Sequence, residues 1–430
     1  MADPLSSPYG SPVGVFGNPS PFSSPILEQS TPRGSISSYT PTLLPEPADE
    51  GDPIIGTPPR SSVTASRSRS ASQVRGISRS RSNSLIRTET NTRTCEDYTV
   101  GWICALSVEM AAAIAMLDDR HPRLPQDWRD KNAYEIGRIG DHNVVITCLP
   151  AGMTGNNSSA SVATRMAYSF PNISIRLMVG IGGGVPSAVD VRLGDVVVSK
   201  PGLNDGGVVQ YDFGKTTSGG IFEKTGSLPP PPPALLSAIS RLAAIHGNFG
   251  SEIPEFLKAF DSEFLKTAHQ YPGPSQDVLF LASYDHVDRF AFDCSACDHT
   301  QVQPRPQRGT DPVVHYGTIA SGNQVMRDAR TRDELGKKYG VLCFDMEAAG
   351  LMNTFPCIVI RGLCDYADTH KNKMWQGYAA ATAACYAKEL LLSIPPSQGH
   401  ERRGSAVGLG FLGGWGGSQS AQWNTNPSSL

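Results

Sequence analysis

The segment Cys343–Asp368, CFDMEAAGLMNTFPCIVIRGLCDYAD, concentrates the residues best suited to chemistry. Asp345 and Glu347 flank Met346 ahead of a small-residue helix start, Ala348-Ala349-Gly350, and an apolar run, Cys357–Ile360, leads to Asp365 just past its end. Open α/β sheets place their chemistry at the carboxyl ends of strands. Glu347 and Asp365 belong to neighbouring elements and so are expected to converge on one ligand. On local grounds alone, Glu347 reads equally as a helix N-terminal acid satisfying its own dipole, and Asp365 as a loop cap. Glu109, in the first turn of a helix after the first strand, is a third acid with the same two readings.

The elements needed to position these acids are legible between residues 97 and 395. Tyr98–Leu106 reads as an apolar strand, followed by a helix over Val108–Asp118 capped by Ser107. Tyr134–Ile139 and Asn143–Leu149 read as a hairpin turning at Gly140–His142, and Asn156–Phe170 as a small-residue helix. Ile175–Val179 is a strand running into the glycine stretch Gly180–Gly184, whose amides are candidates for holding phosphate or water. Leu193–Ser199 is a further strand, and five prolines at 229–233 precede a helix over Ala234–Ile245. Residues 247–312 are irregular and polar, with a strand-like Val278–Ala282. Val313–Ser321 is a strand, Arg332–Lys338 a helix, and a final helix spans 374–393. Alternating strands and helices argue for a three-layer α/β fold, a central mixed sheet flanked by helices.

Composition sets the outer bounds. Hydrophobic residues are 39% of the 430-residue chain, and the deficit lies at its ends. Residues 1–96 form a Ser/Pro/Arg-rich arm and 396–430 a Gly/Ser-rich tail; neither offers enough apolar surface to offset its chain entropy, so both are expected to be disordered. The roughly 300 residues between suffice for one large core. The net charge of −3 gives no reason to expect a nucleic-acid partner. Six arginines (Arg67, Arg69, Arg75, Arg79, Arg81, Arg87) lie among serines in the arm, where phosphorylation would reverse the local charge. No secretory h-region and no run of about 18 apolar residues is present, so no membrane role is expected. Nine scattered cysteines, several within apolar runs, fit reduced thiols and a cytoplasmic setting, with nuclear import through the basic arm left open. Cys294-Ser-Ala-Cys297 carries half of a zinc spacing with no second CxxC, and His286 and His315 lie at no recognisable spacing from it, so no metal or cofactor is assigned. Lys371, Lys373 and Trp375 form a cationic patch near Asp365, read either as a lid or as a solvated helix start.

Five segments in order resemble the nucleoside phosphorylase and nucleosidase superfamily, which includes purine nucleoside phosphorylases and methylthioadenosine nucleosidases. They are Ala105–Glu109, Ala151–Gly155, Val179–Gly184 with Leu193–Val197, Ile319–Gly322, and Asp345–Ala349 with Cys364-Asp365. The resemblance covers nearly all of 98–395 and is greatest to the fungal branch, in which this domain often opens longer multidomain proteins. It implies cleavage of a C–N glycosidic bond through an oxocarbenium-like transition state. In that reading Glu347 binds the ribose hydroxyls, Asp365 serves N7 of a purine with a proton retained through burial, and Glu109 activates water. Met346 packs on the sugar; Gly182, Gly183, Ser321, Asn323 and Val325 complete the substrate site. Asp345 is read as a bystander.

Family phosphorylases resembling this chain carry an arginine two residues before the glycine stretch, where Met178 stands here, with Arg176 two residues further back. The expectation therefore tilts to hydrolysis of a purine nucleoside, with phosphorolysis as the alternative co-substrate chemistry and a non-catalytic nucleoside sensor as the alternative class. A homo-oligomer is implied by the resemblance alone.

Overall fold

The computed structural model describes residues 93–288 and 293–396. The arm and tail expected to be disordered therefore lie almost wholly outside the described residues.

The chain runs β1 (Val100–Cys104), α1 (Ser107–Ala115), β2 (Asp119–Arg120), β3 (Tyr134–Ile139), β4 (His142–Cys148), α2 (Asn156–Ser169), β5 (Ile175–Gly184) and β6 (Val196–Ser199). It continues with β7 (Val208–Gln210), β8 (Gly214–Thr216), β9 (Phe222–Lys224), α3 (Pro233–Phe249), α4 (Ile253–Leu257) and α5 (Glu263–His269). The last elements are β10 (Val314–Ser321), α6 (Ala329–Tyr339), β11 (Val341–Asp345), α7 (Ala348–Met352), β12 (Ile358–Asp365) and α8 (Gln376–Ser393).

Among the described residues, ten strands form one mixed sheet in the order β11-β10-β6-β12-β5-β1-β4-β3-β2, with β7 added beside β10. β1, β5 and β12 run parallel, and their largely apolar sequences, broken only by Arg176 in β5 and Arg361 in β12, are those of strands covered on both faces. On one face α1, α3 and α8 pack over Trp102, Leu177, Val179 and Ile360; on the other α2 and α7 pack over Ile103, Met178 and Val359. α8 is apolar around most of its circumference (Ala379–Ala381, Ala383–Ala387, Leu390, Leu391), the pattern of a helix enclosed by its neighbours. The three-layer expectation holds, with one addition. β11 also pairs antiparallel with β5, Phe344 opposite Gly183, so β5, β12, β6, β10 and β11 close into a ring.

That closure matters for the acids. β6 runs antiparallel to β12, and β10 and β11 follow β6, so β11 enters the ring from the opposite direction to β5 and β12. Its end carries Asp345 to the middle of β12 rather than to the end.

Three local expectations are corrected. The strand expected over Ile175–Val179 does not stop there: β5 continues through the glycine stretch to Gly184, with Gly180–Gly183 in register with Arg361–Asp365 of β12. Val278–Ala282 is not a strand; its pairing with the 301–303 segment is limited to a single antiparallel bridge, Phe280 opposite Val302. α1 begins at Ser107 rather than being capped by it: Glu109 bonds the Leu106 and Ala105 amides and closes the helix start itself.

Candidate active site

The site is built around a charge that local sequence reading missed. Arg361, midway along β12, is fully buried. Its Nη2 donates to Asp345 Oδ2 at 2.5 Å, stands 3.7 Å from Glu347 Oε2, and reaches Met178 Sδ at 3.2 Å. Asp345 is therefore no bystander; it supplies the direct counter-charge for a buried guanidinium. Met178 is the seat on which that guanidinium rests.

Glu109 completes the cluster from the other side. Its Oε2 accepts from the Ala105 and Leu106 amides at 2.6 and 2.9 Å, and its Oε1 accepts from the Ile181 amide at 2.8 Å. A carboxylate offers about four acceptor positions, so three amides leave room for one more donor. The helix-cap role foreseen for Glu109 is thus real, and it coexists with a bond across to β5. Burial raises the Glu109 pKa above its ordinary value, against the pull of Arg361 and the three amides. Burial likewise pushes Glu347 up to about 7; Arg361 opposes this, while Asp345 and Glu109 reinforce it. Glu347 also accepts from the Gly155 amide at 3.3 Å.

The glycines of β5 make this crowding possible. A β-carbon on Gly180 would stand 2.5 Å from both Glu109 Oε1 and Arg361 Nη1, and one on Gly183 would stand 2.8 Å from Asp365 Oδ1. Only a residue without a side chain lets a strand run this close to three charged groups.

Asp365 lies buried at the far end of β12. Its Oδ1 accepts from the Ala367 amide at 2.9 Å, and Oδ2 receives the Cys364 thiol at 3.0 Å and the Lys371 ammonium at 3.0 Å. The sequence reading expected burial to govern this carboxyl; the structure adds a cation. Burial works against the charge on Lys371, and the Asp365 carboxylate overrides it, holding the lysine pKa above its usual value. Of the cationic patch, Lys371 is thus engaged at the acid, while Trp375 is buried with its indole N–H donated to the Gln276 carbonyl at 3.1 Å.

The remaining candidates surround these acids. Ser321 Oγ accepts from the Ala349 amide at 3.0 Å, and Asn323 Oδ1 accepts from the Asn156 amide at 3.0 Å, so both fix the turns that carry Glu347 and Gly155. Met346 is half-buried and Val325 is exposed. Gly182 lies in register with Leu363. Arg176 stacks on the Phe355 ring at 4.8 Å, away from these acids. His315, once weighed as a metal ligand, bonds Asp195 at 2.9 Å beside Arg308. A larger cavity of about 640 Å³ lies elsewhere, between Arg123–Ile136 and Tyr168–Pro171; it contains none of the clustered acids, and we do not assign the chemistry to it.

Arg361 left one mark in the sequence, a lone charge inside the apolar run Cys357–Cys364. Such a charge has to find partners within the core.

A mixed sheet closed on itself, with buried acids gathered against a glycine-rich strand, defines an α/β protein with an enzyme-like site. The chain belongs to the phosphorylase superfamily, a superfamily of nucleosidases and phosphorylases whose family model matches residues 99–393. A nucleotide-binding leucine-rich repeat (NLR)-like protein of Hyaloscypha variabilis is 47% identical over 304 residues, 70% of this chain; the chain spans 30% of that relative's length. A 5'-methylthioadenosine/S-adenosylhomocysteine nucleosidase of Mycobacterium tuberculosis is 25% identical, over 69% of this chain and 97% of its own. Among solved structures, futalosine hydrolase of Helicobacter pylori aligns over 69% of this chain and 97% of its own, at 15% identity and a TM-score of 0.45. Among the described residues no helix is long and apolar enough to cross a membrane.

Proposed function

We propose that this domain hydrolyses the N-glycosidic bond of a purine nucleoside, releasing free base and ribose. The observation that carries the choice of water over phosphate is the charge balance at the buried cluster. Arg361 is outnumbered by Asp345, Glu347 and Glu109, and Arg176, the other arginine near the glycine strand in sequence, is turned onto Phe355. A phosphate dianion entering beside Glu109 would meet uncompensated negative charge at low dielectric, whereas a neutral water meets a hydrogen-bond acceptor.

In this reading Glu347 accepts hydrogen bonds from the ribose hydroxyls and stabilises the cation that grows on the sugar. Met346 packs against the ribose, and Gly182 and Gly183 let it approach the strand. Ser321 and Asn323 hold the turns beneath it, and Val325 forms the rim. The bond between C1' and the base nitrogen breaks with its electron pair passing to the base, which takes a proton at N7 from the Asp365–Lys371 pair. Water adds to C1' and gives its proton to Glu109. The purine preference rests on Asp365, since N7 is the atom that such an acid would serve.

Incubation of the purified protein with adenosine, inosine, guanosine and 5'-modified analogues in phosphate-free buffer should release base and free ribose. Strict dependence on added phosphate, with ribose 1-phosphate as product, would replace hydrolysis by phosphorolysis. Release of no base from any of them would favour the sensor.

The acids also set a pH dependence. Glu347 works as a carboxylate, and its pKa of about 7 means that it is protonated below that value. Glu109, whose pKa is raised too, must be deprotonated to take the water proton. The kcat/KM for nucleoside hydrolysis should therefore climb through about pH 7 and level off above it, falling by about tenfold per unit, or more steeply, on the acid side. A profile that stays flat down to pH 5 would remove Glu347 from the rate-determining chemistry.

A further inference from the structure

We propose that His286, Cys294, Cys297 and His370 bind one zinc ion, in a Cys2His2 site that ties the 284–299 excursion to the segment following Asp365. One nitrogen of His286 and the sulfurs of Cys294 and Cys297 already lie within 4.8 Å of one another. Tetrahedral zinc, with bonds of about 2.0 Å to nitrogen and 2.3 Å to sulfur, holds such donors roughly 3.5–3.8 Å apart, so a contraction of about an ångström brings these three ligands onto one ion. Both thiols are unpaired.

The histidines supply the second, independent observation. The side chain of His370 is 5% exposed, yet neither of its ring nitrogens has a hydrogen-bond partner; the Asp368 carboxylate stands 3.8 Å from Nδ1, beyond hydrogen-bond reach. A buried imidazole in that condition lacks the donor or acceptor that normally compensates its burial. Its ring is stacked on Phe280 at 4.0 Å, and its centre stands 5.3 Å from that of His286. Two imidazoles on one tetrahedral zinc have ring centres about 5 Å apart. Cys294 and His370 also line one small cavity of about 70 Å³.

His286 is oriented as a ligand would be. Its Nε2 lies 2.9 Å from the Asp293 carbonyl oxygen, which only an N–H can satisfy, so Nδ1 keeps its lone pair. That lone pair now faces the Asp288 amide at 3.2 Å, a long contact that a metal would replace. A backbone carbonyl on the second ring nitrogen is the usual outer support of a zinc-bound histidine. The Thr369 hydroxyl accepts from the His286 amide at 2.9 Å, so the two segments are joined before any metal arrives.

Two thiolates and two neutral imidazoles suit zinc in both softness and charge, because the anions cancel the ion and the bound unit can be buried. CxxC is the half of the spacing visible in sequence; His286 lies eight residues before Cys294, and His370 arrives from the far side of β12. His370 also precedes Lys371, whose ammonium rests on Asp365, so the ion would act as a positioning element for that end of the site.

The test is metal content and coordination, with no dependence on turnover. Full-length protein purified without chelator should contain about one zinc per chain, released by a mercurial that caps thiolates. Reduced apoprotein titrated with Co(II) should develop a thiolate-to-cobalt charge-transfer band together with the intense visible bands of tetrahedral cobalt. Cys294→Ser should abolish the charge-transfer band or cut it by about half, and lose the bound zinc; His370→Gln should keep the band and lose the tetrahedral signature. Should a variant fail to fold, the cobalt titration of the wild-type chain decides alone. Less than about a tenth of a zinc per chain, together with no cobalt–thiolate band on reduced and folded apoprotein, would overturn the proposal. A Cys294–Cys297 disulfide that forms in place of metal binding would do so as well.

Discussion

Asp365→Asn is expected to lower kcat for purine nucleoside hydrolysis by about 10²- to 10⁴-fold, the range associated with a lost proton-transfer group. The fold should survive it. Asparagine is isosteric, its carbonyl oxygen can keep the bond from the Ala367 amide, and Lys371 is 30% exposed and can turn its ammonium to water once its partner is neutral. Circular dichroism and the melting temperature should therefore stay near the wild-type values while turnover collapses. A leaving group that needs no proton separates chemistry from positioning. A nitrophenyl riboside departs as a stabilised phenolate, and on that substrate the variant should lose far less than on a purine nucleoside. If Asp365→Asn instead hydrolyses purine nucleosides within about threefold of wild type, Asp365 is not the proton carrier. The purine preference argued from it then falls too.

The legible and illegible parts of the molecule divide along physical lines. β1, β5 and β12 were readable because strands covered on both faces need continuous apolar runs, and such runs terminate visibly. Asp365 stood out at the end of the β12 run, and Glu347 and Glu109 at helix starts. Arg361 did not, because its partners lie elsewhere in the chain: Asp345, 16 residues earlier, at the end of β11, Glu347, 14 residues earlier, at the start of α7, and Met178, 183 residues away, on β5. No local pattern encodes a pairing made by ring closure between β11 and β5. The strand was expected to end at Val179, ahead of the glycine stretch, for a related reason. Glycine is a poor strand former in isolation, and the advantage of having no side chain appears only once Arg361, Glu109 and Asp365 are brought against it. The Cys294–Cys297 pair shows the same limit, since His286 lies eight residues before it in the same excursion and His370 comes from beyond β12.

Removing the positive charge from the acid cluster should have the largest effect on stability. Arg361→Met keeps much of the side-chain volume but leaves Asp345, Glu347 and Glu109 facing one another without their shared cation. Breaking a buried pair by deleting one partner typically costs about 3–5 kcal/mol, because the surviving charge remains out of water. Here three carboxyl groups lose their shared cation, and the guanidinium bond to Asp345 is a direct contact at 2.5 Å. Denaturant unfolding should show a lower midpoint with an unchanged slope, the signature of lost stability without a change in the surface exposed. Asp345→Asn in the Arg361→Met background should restore part of the loss, since it removes the acid that depended most directly on the arginine. Arg361→Lys should fall between, as a single ammonium cannot span both carboxylates in the way a planar guanidinium does. Function responds through the same charges. Arg361 opposes the burial-driven rise of the Glu109 and Glu347 pKa values, so any Arg361→Met protein that folds should show its acid limb displaced to higher pH. An Arg361→Met variant within about 1 kcal/mol of wild type, with an unmoved pH profile, would mean that the buried acids are neutral in the folded protein and that the cluster is not the charged device argued above.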